Sequence, residues 1–314
     1  MSLALLFPGQ GAQFVGMGKD LAEQFPVAAQ TFEEADDVLG LPLSRRMWEG
    51  PDEDLRQTQN AQVAILVHSV AAFRVGCASL PAPSFAAGHS LGEFSAHVAA
   101  ETLSFADALR AVRLRGELMF EAGTVRSGTM AALLGMEESA VERLCQEASR
   151  SADSVVVPAN LNAPGQVVIS GDVDAVQRAL AAAPEAGAKK VIPLNVSGAF
   201  HSPLMEPART GLAAFLQGIS FQNPKFPVFS NVTAHPVTRG DEAMHRLIEQ
   251  LTAPVRWSDS IAALVEAGTT EFAEFGPGNV LSGLNKRNAK GMASRSFGTV
   301  QELSSLLNSS STTA

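Results

Sequence analysis

The 314-residue chain contains no tyrosine, only two cysteines and only six histidines. Without tyrosine, no phenol can serve as acid, base or nucleophile. Two cysteines cannot build a four-thiolate zinc site or a disulfide framework. Basic charge is scarce too: 23 Lys and Arg stand against 32 Asp and Glu, a net charge of −9. Phosphate affinity comes largely from Lys and Arg, so this balance argues against nucleic-acid binding. The segment Met1 to Gly9 has no positively charged n-region, and its apolar run is too short for a signal peptide. The longest apolar stretch, residues 61–80, carries His68 and Arg74, which favours a buried helix over a membrane span. A cytoplasmic protein with reduced thiols is the expectation. Cys145 shares an apolar stripe with Val141, Leu144 and Ala148, and Cys77 ends an apolar segment. Both read as small core hydrophobes.

What is present fits a folded chain: 46% hydrophobic and 18% charged residues, at a length suited to one large domain or two smaller ones. Leu3 to Phe7 reads as a buried strand ended by Pro8-Gly9, and Phe85 to Ala87 as a second strand ended by Gly88. Helical patterns lie near 17–25, 27–39 and 61–76. Ser104 and Asp107 resemble a capping box opening a helix to about Glu121. Between Gly128 and Asn195 the pattern becomes strand, helix, strand, strand, helix, strand, the order of a ferredoxin-like unit. Helices near 203–217, 241–251 and 258–267 then alternate with strands near 226–230 and 270–275. The expected fold is α/β: a parallel-sheet body over residues 1–126 and 196–302, interrupted by an α+β subdomain at 127–195. Residues 303–314, rich in Ser and Thr towards the end, read as a disordered tail.

Gly88-His89-Ser90-Leu91-Gly92 matches G-x-S-x-G between a strand and a helix candidate, the setting of a nucleophile elbow. A serine on so sharp a turn adopts strained backbone angles, and the helix N-terminus behind it offers free N–H groups to an oxyanion. An ordinary Gly-rich turn is the alternative. Ser90 needs a base. On a tight elbow His89 points away, and His97 is two helical turns distant. His68 reads as a core residue, His235 sits in a turn, and His245 lies on a polar helix. His201 remains, in a strand-to-helix loop before Ser202-Pro203, a helix start with Ser as N-cap and Pro at the first position. No Asp or Glu stands out to orient it. In the helix from Ser104, Arg115 falls on the apolar stripe of Ala108, Val112 and Met119, whereas Arg113 is off it and can pair with Glu117. An arginine facing a core must find an anion or snorkel at an edge. The functional alternative is a clamp on a substrate carboxylate.

Further motifs stand in order along the chain: Phe7-Pro8-Gly9-Gln10-Gly11, Gly88 to Glu93, Leu114-Arg115-Gly116, Ala159 to Val168, Ala199 to Ser202 and Gly276 to Leu284. Together they resemble the malonyl-CoA:acyl-carrier-protein transacylases of fatty acid and polyketide synthesis. That resemblance implies a hydrolase-like α/β body with a ferredoxin-like insertion. It implies Ser90 as nucleophile, His201 as base, and the backbone N–H groups of Gln10 and Leu91 as oxyanion hole. Arg115 would bind the malonyl carboxylate, and a backbone carbonyl or amide at Gln250 would orient the histidine. His89, Asn160, Asn162 and Phe200 would lie near the substrate, with Leu91 and Phe200 matching the malonyl-selective pattern. The implied partners are malonyl-CoA and acyl carrier protein. No metal or bound cofactor and no oligomer are required. Lys189, Lys190, Lys286, Arg287 and Lys290 are the candidates for a basic face towards an acidic carrier. A serine hydrolase or thioesterase, and a non-enzymatic carrier-binding subunit, are the rivals. Arg115 would discriminate against the first, and the intact Ser90 and His201 against the second.

Overall fold

The computed structural model describes residues 2–311, with side chains through residue 309. Its strands are β1 (Leu3–Phe7), β2 (Pro83–Gly88), β3 (Gly128–Leu134), β4 (Val156–Ala163), β5 (Gln166–Asp172), β6 (Lys190–Pro193), β7 (Val228–Phe229), β8 (Pro236–Val237), β9 (Glu271–Phe275) and β10 (Ala293–Phe297). They form two sheets. The larger has the order β10-β9-β1-β2-β7-β8 and is parallel except for the β7–β8 pair. All five residues of β1 are buried, as expected of the centre of a sheet covered on both faces. The smaller sheet is antiparallel with the order β4-β5-β3-β6. The helices Glu138–Ala148 and Val173–Ala182 supply its apolar core, which includes Val141, Leu144, Cys145, Val176 and Ala179. This is the strand-helix-strand-strand-helix-strand order read from the sequence.

The Thr58–Ser79 stretch is long and apolar enough to cross a membrane by length and composition. Here it is a core helix, Thr58–Gly76, packed against the Pro26–Leu39 and Phe105–Val125 helices, with His68 Nε2 2.9 Å from the Gly298 carbonyl. Ser104 caps the Phe105–Val125 helix: its Oγ accepts from the Asp107 N–H at 3.0 Å. Arg113 leaves the core to pair with Glu117 at 2.5 Å.

Two expectations are corrected. The disordered tail at 303–314 is instead largely helix: Val300–Ser311 is helical, with Leu303 and Leu306 buried. Leucines recurring at helical spacing among the serines carry that segment onto the core, a pattern that Ser/Thr composition conceals; residues 312–314 lie outside the described residues. The last strand of the unit read between Gly128 and Asn195 does not run to the end of that unit: it stops at Pro193, leaving residues 194–200 as a loop. The sequence reading also passed over β10, an edge strand whose Ala-Ser-Arg-Ser-Phe sequence has no apolar run.

The two sheets are tied together beside β4. The Leu161 N–H donates to the Val255 carbonyl at 2.9 Å, and the Val255 N–H to the Ala159 carbonyl at 2.8 Å. Arg126 forms a two-pronged contact with Asp172, at 2.8 and 2.7 Å. The segment after Gln250 is thereby fixed against both units, and that segment reaches the site described next.

Candidate active site

Ser90 sits between β2 and the Gly92–Ala99 helix with φ of 50°, in the left-handed region that a residue with a side chain seldom occupies. The two flanking glycines make the turn sterically feasible. A Cβ on Gly88 would lie 1.9 Å from the Gly92 carbonyl group, and one on Gly92 would lie 2.0 Å from the Phe7 carbonyl oxygen. The elbow is held by hydrogen bonds: the His89 N–H donates to the Phe7 carbonyl at 3.0 Å, and the Ser90 N–H to Asn231 Oδ1 at 2.7 Å.

His201 has φ of 55° and lies just before the Pro203–Met205 turn, which leads into the Glu206–Leu216 helix; Ser202 Oγ caps that turn. Its Nε2 is 2.7 Å from Ser90 Oγ, and its Nδ1 is 2.9 Å from the Gln250 backbone carbonyl. A carbonyl oxygen can only accept, so Nδ1 carries the proton and Nε2 presents its lone pair to the serine. Burial, and then the Arg115 charge, push His201 down to about 3. The imidazole is therefore in its basic form throughout the neutral range. The first half-reaction should show no acid limb from His201 between pH 8 and 5. A fall in kcat/KM with an apparent pKa near 6.5 would show instead that the ring is solvated.

Arg115 is 1% exposed and is brought to Ser90 by close helix packing: a Cβ on Gly116 would lie 2.5 Å from the Gln59 Cα. Nη1 donates to Gln62 Oε1 at 2.6 Å, while Nη2 donates to Ser90 Oγ at 3.1 Å and to Gln250 Oε1 at 3.0 Å. Among the described residues no carboxylate touches the guanidinium. Three of its five N–H groups are engaged, and Nε is buried without a partner among the described residues. A buried, incompletely paired guanidinium beside a reactive hydroxyl is suited to a carboxylate on the acyl group.

The other expected residues are placed as follows. The Gln10 and Leu91 N–H groups have no acceptor among the described residues. Leu91 is the residue before the Gly92–Ala99 helix, and Gln10 follows the β1 strand that pairs with β2. His89 turns away from Ser90, its Nε2 2.8 Å from Asn162 Oδ1 and its ring 5.6 Å from that of Trp257. Asn160 is buried on β4, where it is bridged to Val255, and Phe200 is buried beside His201. His201 lines a cleft of about 690 Å³, bounded by Pro203, Thr252 and Pro254 on one side and by Val155 to Pro158 of the small-sheet unit on the other. A larger cleft of about 880 Å³ contains neither Ser90 nor His201.

Three partners escaped the sequence reading. Gln62 is a polar residue inside the apolar stretch that feeds the core helix. Asn231 follows strand β7; its Nδ2 donates to the Gly88 carbonyl at 2.7 Å. Glu93, one turn after Ser90, is fully buried, and its Oε2 accepts from the Gln250 side-chain amide at 2.7 Å and the Asn231 N–H at 3.0 Å. The signal for Glu93 was its place at the end of the Gly88 to Glu93 motif, on the buried face of the elbow helix.

The family model for the acyl transferase domain matches residues 4–302. The malonyl CoA-acyl carrier protein transacylase of Bacillus subtilis is 48% identical over 285 residues, covering 91% of this chain and 90% of that protein. Among solved structures, an acyl carrier protein S-malonyltransferase from Vibrio cholerae superposes with a TM-score of 0.94 at 43% identity, covering 98% of this chain and 100% of that one. A malonyl-transacylase solved in complex with a type II PKS acyl-carrier protein also gives 0.94, at 42% identity with the same coverage. The chain belongs to the acyl transferase domain family and, within it, to the malonyl CoA-acyl carrier protein transacylases.

Proposed function

We propose that this chain transfers the malonyl group from malonyl-CoA to the phosphopantetheine thiol of acyl carrier protein, in fatty acid or polyketide synthesis, through a malonyl-serine intermediate. The observation that carries the reading is the pair of contacts at Ser90 Oγ, with His201 Nε2 at 2.7 Å and Arg115 Nη2 at 3.1 Å. A nucleophile stands between a base and a carboxylate-binding cation.

In the first half-reaction His201 takes the Ser90 proton as Oγ attacks the thioester carbonyl. The oxyanion is stabilised by the Gln10 and Leu91 N–H groups, and the Leu91 N–H also stands at a positive helix end. The tetrahedral intermediate collapses by expelling the CoA sulfur, which receives the proton from His201. In the second half-reaction His201 deprotonates the carrier thiol, the sulfur attacks the serine ester, and the proton returns to Ser90. Arg115 holds the free malonyl carboxylate through both. Asn160, Asn162, His89 and Phe200 line or support the acyl pocket.

A chain of net charge −9 needs a local basic face for an acidic carrier. Lys189, Lys190, Lys286, Arg287 and Lys290 are all exposed, and Arg287 reaches across to Gln166 of the small-sheet unit. Initial-rate kinetics with both substrates varied should give the parallel lines of a ping-pong mechanism. Changing Lys286 and Arg287 to Glu should raise the KM for the carrier and leave the malonyl-CoA half-reaction unchanged. Intersecting lines would contradict the intermediate, and an equal loss in both half-reactions, or in neither, would contradict the docking face.

A further inference from the structure

Glu93 is unexplained by the mechanism above, yet Gln250 and Asn231 bond to it and Arg115 is joined to it through Gln250. Its Oε2 is 2.7 Å from the Gln250 amide nitrogen. That same nitrogen donates to the Ser90 carbonyl at 2.9 Å. Gln250 therefore turns its amide oxygen to Arg115 Nη2 at 3.0 Å. An ionised carboxylate and a carbonyl can only accept, so Glu93, together with the Ser90 carbonyl, sets which end of the Gln250 amide faces the arginine. Through the Asn231 N–H at 3.0 Å it also fixes the side chain that receives the Ser90 N–H. Its second oxygen, Oε1, is buried with no partner among the described residues. Half of the carboxylate thus lacks hydrogen bonds, and nearby positive charge must stabilise its ionised form.

The charged groups facing it are Arg115 on the Phe105–Val125 helix and Arg246 on the Gly240–Glu249 helix; Arg246 is itself paired with Glu249 at 2.8 Å. His97, on Glu93's own helix, and His201 are each pushed down to about 3 by burial and are uncharged at neutral pH. Among the described residues no carboxylate contacts Arg115 directly, and Glu93, one glutamine amide away, is the acid that acts on its charge.

We propose that Glu93 is a positioning residue that tunes selectivity: through Gln250 it aims Arg115 at the acyl group, and its charge offsets part of the guanidinium's pull on a substrate carboxylate. The inference rests on the reading of Arg115 as the malonyl clamp. A dicarboxylic acyl group meets Arg115 against the repulsion of Glu93. A neutral acyl group such as acetyl meets neither effect.

The test is the first half-reaction of wild type, Glu93→Gln, Glu93→Asp and Arg115→Ala, each with malonyl-CoA and acetyl-CoA at pH 8.5. Burial pushes the Glu93 carboxyl up to about 7, so wild type carries the charge at that pH. Glu93→Gln keeps an acceptor for Gln250 and Asn231 but removes the charge. Its malonyl-to-acetyl KM ratio should fall about fivefold, because only the binding of the malonyl carboxylate is strengthened. Glu93→Asp retains the charge and should retain the wild-type malonyl-to-acetyl KM ratio. Wild type itself, titrated from pH 8.5 to 6, loses the same charge without substitution. Its malonyl-to-acetyl KM ratio should fall, and that of Glu93→Gln should stay flat. A purely structural lesion would shift both substrates in the same direction, and that result overturns the inference. So does a ratio that shifts in Glu93→Asp as in Glu93→Gln, or that is flat with pH in wild type. If Arg115→Ala leaves the malonyl preference intact, the clamp reading itself fails. If Arg115→Ala abolishes that preference and Glu93→Gln leaves it unmoved, only the inference about Glu93 fails.

Discussion

Replacing His201 with alanine should slow both half-reactions by about 10³-fold or more, by the same factor in each. In the proposed mechanism one imidazole serves as base for Ser90 in the first and for the carrier thiol in the second, so removing it should spare neither. Its position is over-determined. The ring is 3% exposed, its backbone holds a positive φ, and Nδ1 donates to the Gln250 carbonyl at 2.9 Å. That last contact is to backbone, which separates two effects that a side-chain orienter would merge. Gln250→Ala keeps the carbonyl that fixes the His201 tautomer, and removes the amide that contacts Arg115, Glu93 and the Ser90 carbonyl. It should therefore weaken malonyl selectivity well before it lowers transfer to the level of His201→Ala. Single-turnover acylation and carrier-transfer rates measure both variants. A His201→Ala enzyme impaired in only one half-reaction would contradict the shared-base account.

The second large effect is on specificity. Arg115→Ala should cut kcat/KM for malonyl-CoA by about 10²- to 10⁴-fold, the loss of two charge-assisted hydrogen bonds at about 1.5–3 kcal/mol each, while acetyl transfer is spared or raised. The guanidinium has donors to give: Nε is without a partner among the described residues, and the Nη2 contact to Ser90 Oγ is free to rearrange once the hydroxyl becomes an ester. Arg115→Lys should restore only part of the loss. An ammonium is a single charged point, whereas the arginine spans Gln62, Gln250 and Ser90 at once. Competition between malonyl-CoA and acetyl-CoA measures the ratio directly. An unchanged ratio would contradict the reading of Arg115 as the malonyl clamp.

These residues differ in how far the sequence exposed them. Ser90 was legible because G-x-S-x-G between a strand and a helix has a steric meaning, which the 1.9 and 2.0 Å Cβ approaches at Gly88 and Gly92 bear out. His201 was reached by eliminating five other histidines, a route open only because the chain has so few. Arg115 announced itself as a cation on an apolar stripe, although the stripe could not say whether its partner was an acid, an edge or a ligand. Its protein partners prove to be a hydroxyl and two amides. Gln250 came from the resemblance alone. Asn231 and Gln62 were not legible, because periodicity reports that a position is buried and not what a polar side chain meets there, and Glu93 was marked only by its place at the end of the Gly88 to Glu93 motif, with no sign of its partners. Glu93 meets Gln250, 157 residues away. For the fold, the inserted strand-helix-strand-strand-helix-strand unit was clear from short apolar runs separated by helical stripes. The polar edge strand β10 and the serine-rich last helix were hidden, since their composition is that of a loop.

The central claim is that Ser90 carries the malonyl group between donor and carrier. Intact-mass and peptide mass spectrometry after brief incubation with malonyl-CoA, in the absence of carrier, tests it most directly. The account predicts one added malonyl mass, on the peptide containing Ser90, lost on adding carrier with a free phosphopantetheine thiol and absent from Ser90→Ala. No added mass in the wild-type protein, or an adduct that persists in Ser90→Ala, would contradict it.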